Sequence, residues 1–289
     1  MQYAHATLPQ AEPLPASHVA VRAGLAYLQP MSARPFTHMY PAPAGIPQQN
    51  CEFALELCEI TNARSAWCDL SLNVNGFDLI ELSTKVLDFD DMPAIHDTYY
   101  PEIAEAAKNL MDGRRALIFD HQIRQREPGR PVLDFGRTNG SGRVSPLGRV
   151  HNDYSHGSAT RRLRAVLPDA DPDQPFAILN FWRPLLHPAI DAPLAVCDAR
   201  TVAAEEAVIS DIIYPDRIGE IFLYTWSPAH NWYYYPAMMP GEVLVFKSYD
   251  SRIDAVARMT PHSAFDSPLS QGDTPPRRSI EVRCLVLLD

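Results

Sequence analysis

The sequence predicts a mainly β protein with flanking helices, in the form of a β-sandwich or a jelly roll. Two observations support this prediction. The C-terminal half is a series of short apolar runs rich in β-branched and aromatic residues, separated by turns that contain Pro, Asp and Gly. In addition, 27 prolines spread along the chain cut it into segments that favour strands and loops over long helices.

The length of 289 residues and the hydrophobic content of 46% fit a globular protein with a substantial core. Residues 1–18 are rich in Pro and Ala and lack periodicity, which predicts an extended N-terminal arm. We expect residues 19–289 to form a single jelly-roll domain, with its β-rich core at about residues 115–289. The N-terminal third would then add strands and a helix to the outside of this core.

Four elements are predicted before the β-rich part. "CEFALELCEITNAR" alternates apolar and acidic residues as a strand does, and "WCDLSLNVNGFDLIEL" predicts a hairpin around "NVNG". "YYPEIAEAAKNLMDG" predicts a helix with Pro101 in its first turn, an apolar stripe from Ile103 to Leu110, and Gly113 at its end. "RALIFDHQI" follows as a buried strand.

After Arg149 the pattern is mainly β. The densest basic cluster, "RRLR" from Arg161 to Arg164, is expected in a solvated strand end or loop, and His156 and His187 are expected in loops. The predicted strands are "FAILNFW", "PLAVCDA", "IFLYTW", "WYYYP", "EVLVFKSY", "HSAF" and "SIEVRCLVLL".

Charge and composition narrow the classes of partner. A formal net charge of -10, without a Lys/Arg run, disfavours nucleic acid as a ligand. No apolar run approaches the roughly 20 residues that cross a bilayer, so no membrane partner is expected. Five irregularly spaced cysteines without a CxxC motif predict reduced thiols, and no secretory signal is recognisable. We therefore expect a cytoplasmic protein.

The stretch "GRVHNDYSHGSA" contains two side chains suited to a metal ion. His151 and Asp153 are separated by one residue, so in a strand both project from one face while Asn152 points away. One imidazole and one carboxylate suit a divalent first-row metal. A second imidazole would complete a facial triad that leaves open positions on Fe(II).

Two histidines remain as candidates for the third ligand, His262 and His230. His262 is favoured by the final segment "PPRRSIEVRCLVLLD", which contains Arg277 and Ser279. Arginine binds a carboxylate in bidentate fashion and serine adds a further hydrogen bond, so this pair could bind the far carboxylate of a 2-oxo diacid chelated to iron.

Several blocks in this order resemble one family: "VHNDYS", "NFWRPL", "PLAVCDART", "HNWYYYPAMMPGEVLVFKSYDS", "TPHSAF" and "PRRSIEVR". They are similar to Fe(II)/2-oxoglutarate-dependent oxygenases of the branch that contains the fungal hydroxylase/desaturase proteins, the gibberellin desaturase-like proteins and the cephalosporin 7-alpha-hydroxylase component. "NAR", "NGFDL", "YYPE" and "IFDHQIR" are similar as well, so the resemblance covers most of the chain.

The resemblance implies a double-stranded β-helix (jelly roll) with N-terminal α/β additions, compatible with a homodimer. It implies Fe(II) and 2-oxoglutarate as cofactors, O₂ as cosubstrate, and a small-molecule substrate of specialised metabolism that is hydroxylated, desaturated or oxidatively cyclised. By motif, His151, Asp153 and His262 would bind the metal. Arg277 and Ser279 would bind 2-oxoglutarate, and Arg283 on the same strand is the alternative carboxylate partner.

Six further side chains are candidates for the site. Asn180 is assigned to the cofactor, and it shares a strand face with Trp182 by alternation, whereas Arg183 lies opposite. Each candidate has a structural alternative, such as strand packing, a capped turn or a solvated strand end. The candidates for substrate binding are Trp182, Arg183, His230, Tyr249 and His121.

Two other functions stay open at this point. One is a metal-dependent jelly-roll dioxygenase that needs no 2-oxoglutarate, and the Arg277-x-Ser279 motif argues against it. The other is a noncatalytic accessory or binding protein of a biosynthetic pathway. A complete set of three metal ligands argues against that alternative, because a pure binder has no need for them.

Overall fold

A computed structural model describes residues 19–66, 70–129, 143–171 and 173–289. The predicted arm, residues 1–18, lies outside these residues. The described chain is mainly β and forms two sheets of nine and five strands, which confirms the predicted jelly-roll architecture. The strands are β1 (Ala20–Leu28), β2 (Phe36–His38), β3 (Phe53–Asn62), β4 (Phe77–Glu81), β5 (Arg115–Gln125), β6 (His151–Asn152), β7 (Phe176–Leu185), β8 (Leu194–Cys197), β9 (Ala207–Ile213), β10 (Ile218–Tyr224), β11 (Trp232–Tyr234), β12 (Glu242–Asp250), β13 (His262–Ala264) and β14 (Arg278–Leu287).

The strand order places the two histidine-bearing strands side by side. The larger sheet runs β1-β3-β11-β8-β13-β6-β10-β9-β2, and the smaller sheet runs β4-β12-β7-β14-β5. β13 pairs with β6 although more than a hundred residues separate them, and their Cα register joins His262 to His151. In the smaller sheet, β7 is buried along its whole length because it pairs with β12 on one side and β14 on the other.

Helices cover the outer face of the smaller sheet. A continuous helical segment consists of α1 (Met92–Ala94), a π-helical turn (Ile95–Tyr99) and α2 (Tyr100–Met111). The apolar stripe of α2, including Ile103 and Ala107, packs against Ile280 and Val282 of β14. Since side chains alternate along a strand, Ser279, Glu281 and Arg283 of β14 face the interior between the sheets.

The predicted strand at "CEFALELCEITNAR" is confirmed as β3, and the predicted helix is confirmed as α2. Pro101 occupies the first turn, where no intrahelical partner is needed for its missing N–H. The helix ends differently from the prediction. Asp112, not a glycine, adopts the left-handed conformation at φ 49°, and Gly113 donates its N–H to the carbonyl of Lys108 at 2.9 Å.

Three sequence predictions are corrected. The strand predicted as buried is β5, which is only partly buried because it forms an edge of the smaller sheet. The hairpin around "NVNG" is wrong for the residues that the structure covers: β4 pairs with β12, and residues 71–75 form a turn. The cluster from Arg161 to Arg164 belongs to a helix, α3 (His156–Val166), which begins where Ser155 accepts a hydrogen bond from the N–H of Ser158 at 3.0 Å.

Across the described ranges, no helix combines the length and the apolar composition needed to cross a membrane. Cys51, Cys58, Cys197 and Cys284 are buried free thiols, and Cys68 lies outside the described residues.

Candidate metal centre

His151 and His262 meet across two adjacent strands. They are direct partners in the β6–β13 register, their ring centroids lie 4.2 Å apart, and both are buried. Asp153 follows β6 directly, with Oδ1 3.5 Å from Nε2 of His151. The three ligand atoms all lie within 4.8 Å of one another. The predicted pair and the favoured third histidine therefore form one cluster.

Hydrogen bonds to backbone carbonyls fix both imidazoles in the tautomer that a metal requires. Nδ1 of His151 lies 2.7 Å from the carbonyl oxygen of Arg149, and Nδ1 of His262 lies 3.1 Å from that of Thr260. A carbonyl can only accept, so each Nδ1 carries the proton. Each Nε2 therefore presents a free lone pair to the centre of the cluster.

The carboxylate of Asp153 is held through one oxygen. Its Oδ2 accepts hydrogen bonds of 2.7 Å from Nδ2 of Asn180 and from Nε of Arg283. Asn180 is itself oriented by Ser248, whose hydroxyl donates to its Oδ1 at 2.9 Å. Oδ1 of Asp153 remains directed toward the imidazoles, which is the arrangement of a monodentate metal ligand with an anchored outer oxygen.

The protonation states also suit a cation. Burial alone would raise the pKa of Asp153, but the positive charge of Arg283 and a hydrogen bond with His151 hold it well below its ordinary value. Burial, aided by the neighbouring His151, lowers the pKa of His262 to about 3. An ionised carboxylate and unprotonated imidazole nitrogens are the forms that bind Fe(II).

Arg283 lies at the centre of three carboxylates. In addition to Asp153, its Nη1 contacts Asp120 at 2.9 Å and its Nη2 contacts Glu281 at 2.7 Å. Burial would lower the pKa of Arg283, but these three negative charges raise it above its ordinary value. Each of its three nitrogens contacts a protein carboxylate, so Arg283 orients the metal ligand Asp153 from the side away from the imidazoles.

Alternation along β5 and β14 builds a polar wall facing the metal cluster. Asp120 lies opposite Arg283, and the next two cross-strand pairs along the wall are Gln122 with Glu281 and Arg124 with Ser279. His121 points to the other face, where its Nδ1 is 2.6 Å from the hydroxyl of Tyr100. The wall thus runs from the metal ligand toward the N-terminal end of β14.

A small cavity extends from the two histidines along this wall. Arg277, just before β14, is 3% exposed; Nη1 donates to the carbonyl of Ala192, and its guanidinium lies 5.4 Å from the ring centroid of Trp182. Nε of Arg277 is buried without a hydrogen-bond partner in the described structure. Burial lowers the pKa of this arginine to about 9. The cavity is lined by Arg124, Leu147, His151, Trp182, Leu194, His262, Ala264, Arg277 and Glu281.

A larger cavity of about 490 Å³ opens beside the same metal ligands. His151, Asp153 and Arg283 form part of its inner end. Its apolar side chains include Met39, Val144, Leu147, Ala165, Ile212 and Ile218, and its polar ones include Gln122, Arg124, Arg162 and Arg217. The metal cluster therefore borders two spaces, one small and cationic and the other large and mixed.

His230 is placed away from the metal cluster. Its Nδ1 lies within hydrogen-bond distance, 2.8 Å, of the hydroxyl of Tyr27, and its Nε2 lies 2.8 Å from a carboxylate oxygen of Glu206. The ring also stacks on Tyr27. With both nitrogens engaged in this buried network, His230 is neither the third ligand nor a lining residue of the two cavities.

Three more residues that were predicted to contact substrate lie outside both cavities. Arg183 lies on the outer face of β7, where it donates to the carbonyl of Leu82 and stacks over Tyr99. His121 packs against the helical segment as described above. Tyr249 belongs to a separate apolar cluster and packs at 5.2 Å from Phe176. None of the three lines either cavity.

The structure brings together other residues that the sequence interpretation left out, namely Asp120 and Glu281. Their signal was the alternation in "FDHQIRQ" and "RSIEVR", in which every second residue is polar. The prediction singled out His121 in the first of these stretches, and His121 lies on the opposite face. Asn180 and Trp182 were placed on the correct face by the same argument.

Comparison with known proteins supports an oxygenase. A protein-family model described as "Oxidoreductase/YMDC permease-like domain" matches residues 25–287. Hydroxylase/desaturase efuI of Hormonema carpetanum is 33% identical over 248 residues, which are 78% of this chain and 82% of that protein. Hydroxylase/desaturase CTB9 of Cercospora beticola is 32% identical over 248 residues, 78% of this chain and 75% of that protein.

The fold has a solved counterpart. The structure of the iron and alpha-ketoglutarate-dependent endoperoxidase NvfI superposes with a TM-score of 0.81 at 25% sequence identity, covering 93% of this chain and 98% of that one.

Proposed function

Since the chain belongs to the fungal Fe(II)/2-oxoglutarate-dependent hydroxylase/desaturase family and is an Fe(II)/2-oxoglutarate-dependent dioxygenase, we propose that it oxidises an unactivated C–H bond of a small molecule of specialised metabolism. The observation that carries this proposal is the cluster of His151, Asp153 and His262 between two cavities. Two imidazoles and one carboxylate on one side of a metal leave the remaining coordination positions open for the cosubstrate and O₂.

The donor set fits Fe(II). His151 and His262 would bind through Nε2 and Asp153 through Oδ1, since the remaining donor atoms are already held by protein groups. Bound iron and 2-oxoglutarate supply the oxidising chemistry. The protein's own work is to fix the three ligands, to exclude bulk water and to position the C–H bond.

The small cavity is the proposed site of 2-oxoglutarate. Arg277 has a buried Nε with no partner in the described structure and reaches the same space as the two histidines. A carboxylate placed there would satisfy it with a charge-assisted hydrogen bond. Ser279 is buried two positions along the chain and would add a hydroxyl donor. Arg283 is assigned instead to holding Asp153.

The reaction balances as follows. One C–H bond, one O₂ and one 2-oxoglutarate give an alcohol, succinate and CO₂. In a desaturation or ring closure, the substrate loses two hydrogens and the second oxygen atom leaves as water. The large cavity would bind the substrate body on its apolar side, with Gln122, Arg162 and Arg217 available for oxygen-bearing groups.

Two further points belong to the proposal. We expect the enzyme to act in the cytoplasm, where 2-oxoglutarate is available, and to work as a homodimer. The dimer is tested directly by sedimentation at equilibrium across a range of protein concentrations.

Succinate formation from 2-oxoglutarate tests the function without knowledge of the substrate. With ascorbate present to supply the two electrons that reduce the second oxygen atom to water, Fe(II)-loaded protein should convert 2-oxoglutarate slowly to succinate and CO₂ with uptake of O₂. Asp153→Ala should remain folded and lose this activity, whereas Asp169→Ala, a change at an exposed aspartate of the loop after α3, should keep it. Undiminished succinate formation by Asp153→Ala would refute the metal assignment.

A further inference from the structure

The walls of the large cavity carry more positive than negative charge, although the chain as a whole is acidic. The chain has 35 acidic residues against 25 Lys and Arg, and a formal net charge of -10. Because the average field of such a protein repels anions, an anionic ligand would require a local excess of cations. The large cavity has one: it is lined by five arginines and three carboxylates, namely Arg124, Arg161, Arg162, Arg217 and Arg283 with Asp120, Asp153 and Glu220.

Two of these arginines have no acidic partner in the described part of the chain. Arg283 and Arg161 already pair with the three carboxylates of the cavity. Arg124 also lines the small cavity. Arg162 and Arg217 line the large cavity alone, and neither contacts a carboxylate of the described residues. Their charges are therefore available to a ligand in this cavity.

Aromatic rings orient both of these guanidinium groups. Cζ of Arg162 lies 4.9 Å from the ring centroid of Phe119, and Cζ of Arg217 lies 3.8 Å from that of Tyr214. A ring occupies the face of a guanidinium group and leaves the N–H donors at its edge for another ligand. Arg162 is half-buried, and the hydroxyl of Tyr154 adjoins it in the same cavity. A ligand carboxylate at this point would gain charge-assisted hydrogen bonds.

Both arginines lie away from the metal end of the cavity. Along β10, Leu223 is the partner of His151, and Arg217 lies six residues before Leu223, about 20 Å along the strand at the usual rise per residue. Arg162 follows Ser155, the N-cap of α3, by seven residues, which is roughly 10 Å along the helix axis. A ligand anchored at these arginines would therefore reach the metal through its remaining part.

A salt bridge fixes α3 against β10 close to both arginines. Arg161, the neighbour of Arg162, contacts Glu220 at 2.8 Å, and Glu220 lies three residues from Arg217. The hydroxyl of Ser158 also donates to the backbone carbonyl of Glu220 at 2.8 Å. The helix and the strand therefore present the two unpaired guanidinium groups from two walls of one cavity.

We propose that the substrate is a carboxylic acid with an apolar body, and that Arg162 and Arg217 bind its carboxylate at the end of the large cavity remote from the metal. This inference rests on the proposed function of the large cavity as the substrate site. It adds the chemical class of the substrate and its orientation. The body would lie along apolar side chains such as Leu147 and Ile212, so the oxidised C–H bond belongs to the body and is distant from the carboxylate.

The alternative is that both arginines only solvate the cavity rim. Charges of that kind are screened by salt and bind no particular ligand. The two roles differ in whether a negative charge on a ligand raises its affinity, and in which end of the ligand lies near the metal.

Decanoate and 1-decanol are suitable probes, because they share an alkyl chain and differ at the end that the arginines would bind. Each is titrated anaerobically into the full-length protein, with and without saturating Fe(II) and 2-oxoglutarate, and followed by calorimetry at low and high salt. Decanoate should bind about tenfold or more tightly than 1-decanol at low salt, since only decanoate forms charge-assisted hydrogen bonds. Salt should weaken decanoate binding alone.

Three variants assign this preference to the two arginines. Arg162→Gln should weaken decanoate binding about tenfold, and Arg217→Gln, at a more exposed position, should weaken it a few-fold. Both should bind 1-decanol as the wild type does. Arg164→Gln is the matched control, because Arg164 lies on the same helix, is exposed and lines neither cavity. It should bind both probes normally.

The orientation is measured with Mn(II) in place of Fe(II) and with 2-oxoglutarate saturating. The paramagnetic ion should broaden the nuclear magnetic resonance signal of the terminal methyl group of bound decanoate more than that of the protons beside the carboxylate. The reverse order would place the carboxylate at the metal and overturn the inference.

Two further results would overturn it. One is equal affinity for decanoate and 1-decanol, including the absence of binding by either. The other is a loss of decanoate affinity in Arg164→Gln as large as in Arg162→Gln. Failure of the proposed function gives a different result: the protein would form no charge-transfer complex with Fe(II) and 2-oxoglutarate, whether or not it prefers decanoate.

Discussion

Arg283 donates a 2.7 Å hydrogen bond from Nε to Oδ2 of Asp153, the oxygen that also accepts from Asn180. The other guanidinium nitrogens contact Asp120 and Glu281, so Arg283 is fixed on three sides. This contact joins residues 130 positions apart in the chain. It makes Arg283 a positioning residue for the metal ligand, whereas Arg277, at the other end of the wall, is the proposed partner of the cosubstrate carboxylate.

Arg283→Gln should lower iron affinity by about 10–100-fold, the usual effect of removing a partner that orients a metal ligand. At saturating iron, its affinity for 2-oxoglutarate should stay within a few-fold of wild type. Arg277→Gln should weaken 2-oxoglutarate binding and leave iron affinity near that of the wild type, because the guanidinium of Arg277 faces the small cavity. Calorimetric titration with Fe(II) and then 2-oxoglutarate measures both constants.

The control for this pair is Arg278→Gln. Arg278 neighbours Arg277 but pairs with Asp90 at 2.6 Å instead of facing the small cavity. It should bind both ligands normally. A larger loss of 2-oxoglutarate affinity in Arg283→Gln than in Arg277→Gln would move the carboxylate site to Arg283.

Asn180→Ala should weaken iron binding and destabilise the fold by about 1–3 kcal/mol, because Ser248 is left with an unmatched buried hydroxyl and Asp153 loses a donor. Asn180→Asp should weaken iron binding further, since it places a second carboxylate against Asp153. Urea unfolding and iron titration of the two variants check these effects. Wild-type iron affinity in both would show that Asn180 does not orient the ligand.

Gly76, although distant in sequence, packs against Thr260, the residue whose carbonyl orients His262. Its φ is 95°, and a Cβ at this position would lie 2.3 Å from Oγ1 of Thr260, whose carbonyl accepts the Nδ1 proton of His262. Gly76→Ala should therefore cost stability through backbone strain of about 1 kcal/mol or more and should lower iron affinity by displacing Thr260. Gly241→Ala is the matched control because its Cβ would meet nothing within 4 Å. Normal iron affinity in Gly76→Ala would show that the position of Thr260 does not affect metal binding by His262.

Burial makes His262 a source of acid sensitivity in the metal-free protein. Its pKa is lowered to about 3, whereas an unfolded histidine titrates near 6.5. Between these values the unfolded chain binds a proton that the folded chain does not, so stability is full above about pH 6.5 and falls as the pH decreases toward 3. The slope for one proton is at most about 1.4 kcal/mol per pH unit.

Urea unfolding between about pH 5 and pH 7, without metal, measures this slope. His262→Gln should show a shallower dependence than wild type. The difference between the two proteins isolates His262, because burial also lowers the pKa of His121 and His156. Parallel curves would contradict the buried, neutral state of this imidazole.

Local pattern was enough to predict part of the site. The His151-x-Asp153 spacing places two ligands on one face, and alternation correctly separated Asn180 and Trp182 from Arg183. It could not reveal which histidine pairs with His151, because the β6–β13 contact depends on the register of strands distant in sequence. His262 was favoured over His230 by the motif that follows it, and the structure agrees.

The candidates that lie outside both cavities share one feature. A histidine or arginine in a short stretch has no visible partner, so residue type made His230, His121 and Arg183 candidates for the site, although alternation placed Arg183 on the opposite face. In the fold, each finds a partner on a different element: Glu206, Tyr100 and the carbonyl of Leu82. The helix α3 was missed because its basic residues obscured a serine cap at Ser155.

The most direct measurement is an anaerobic titration of the purified protein with Fe(II), with and without 2-oxoglutarate, followed by visible absorption. A weak metal-to-ligand charge-transfer band should form only when both are present, because the 2-oxo acid chelates iron at positions that the three protein ligands leave open. His151→Ala, which lacks one of these ligands, should not form the band at the Fe(II) and 2-oxoglutarate concentrations that suffice for the wild type. Iron binding without a band would contradict a 2-oxoglutarate enzyme. The absence of iron binding would contradict the assignment of His151, Asp153 and His262 as a metal site.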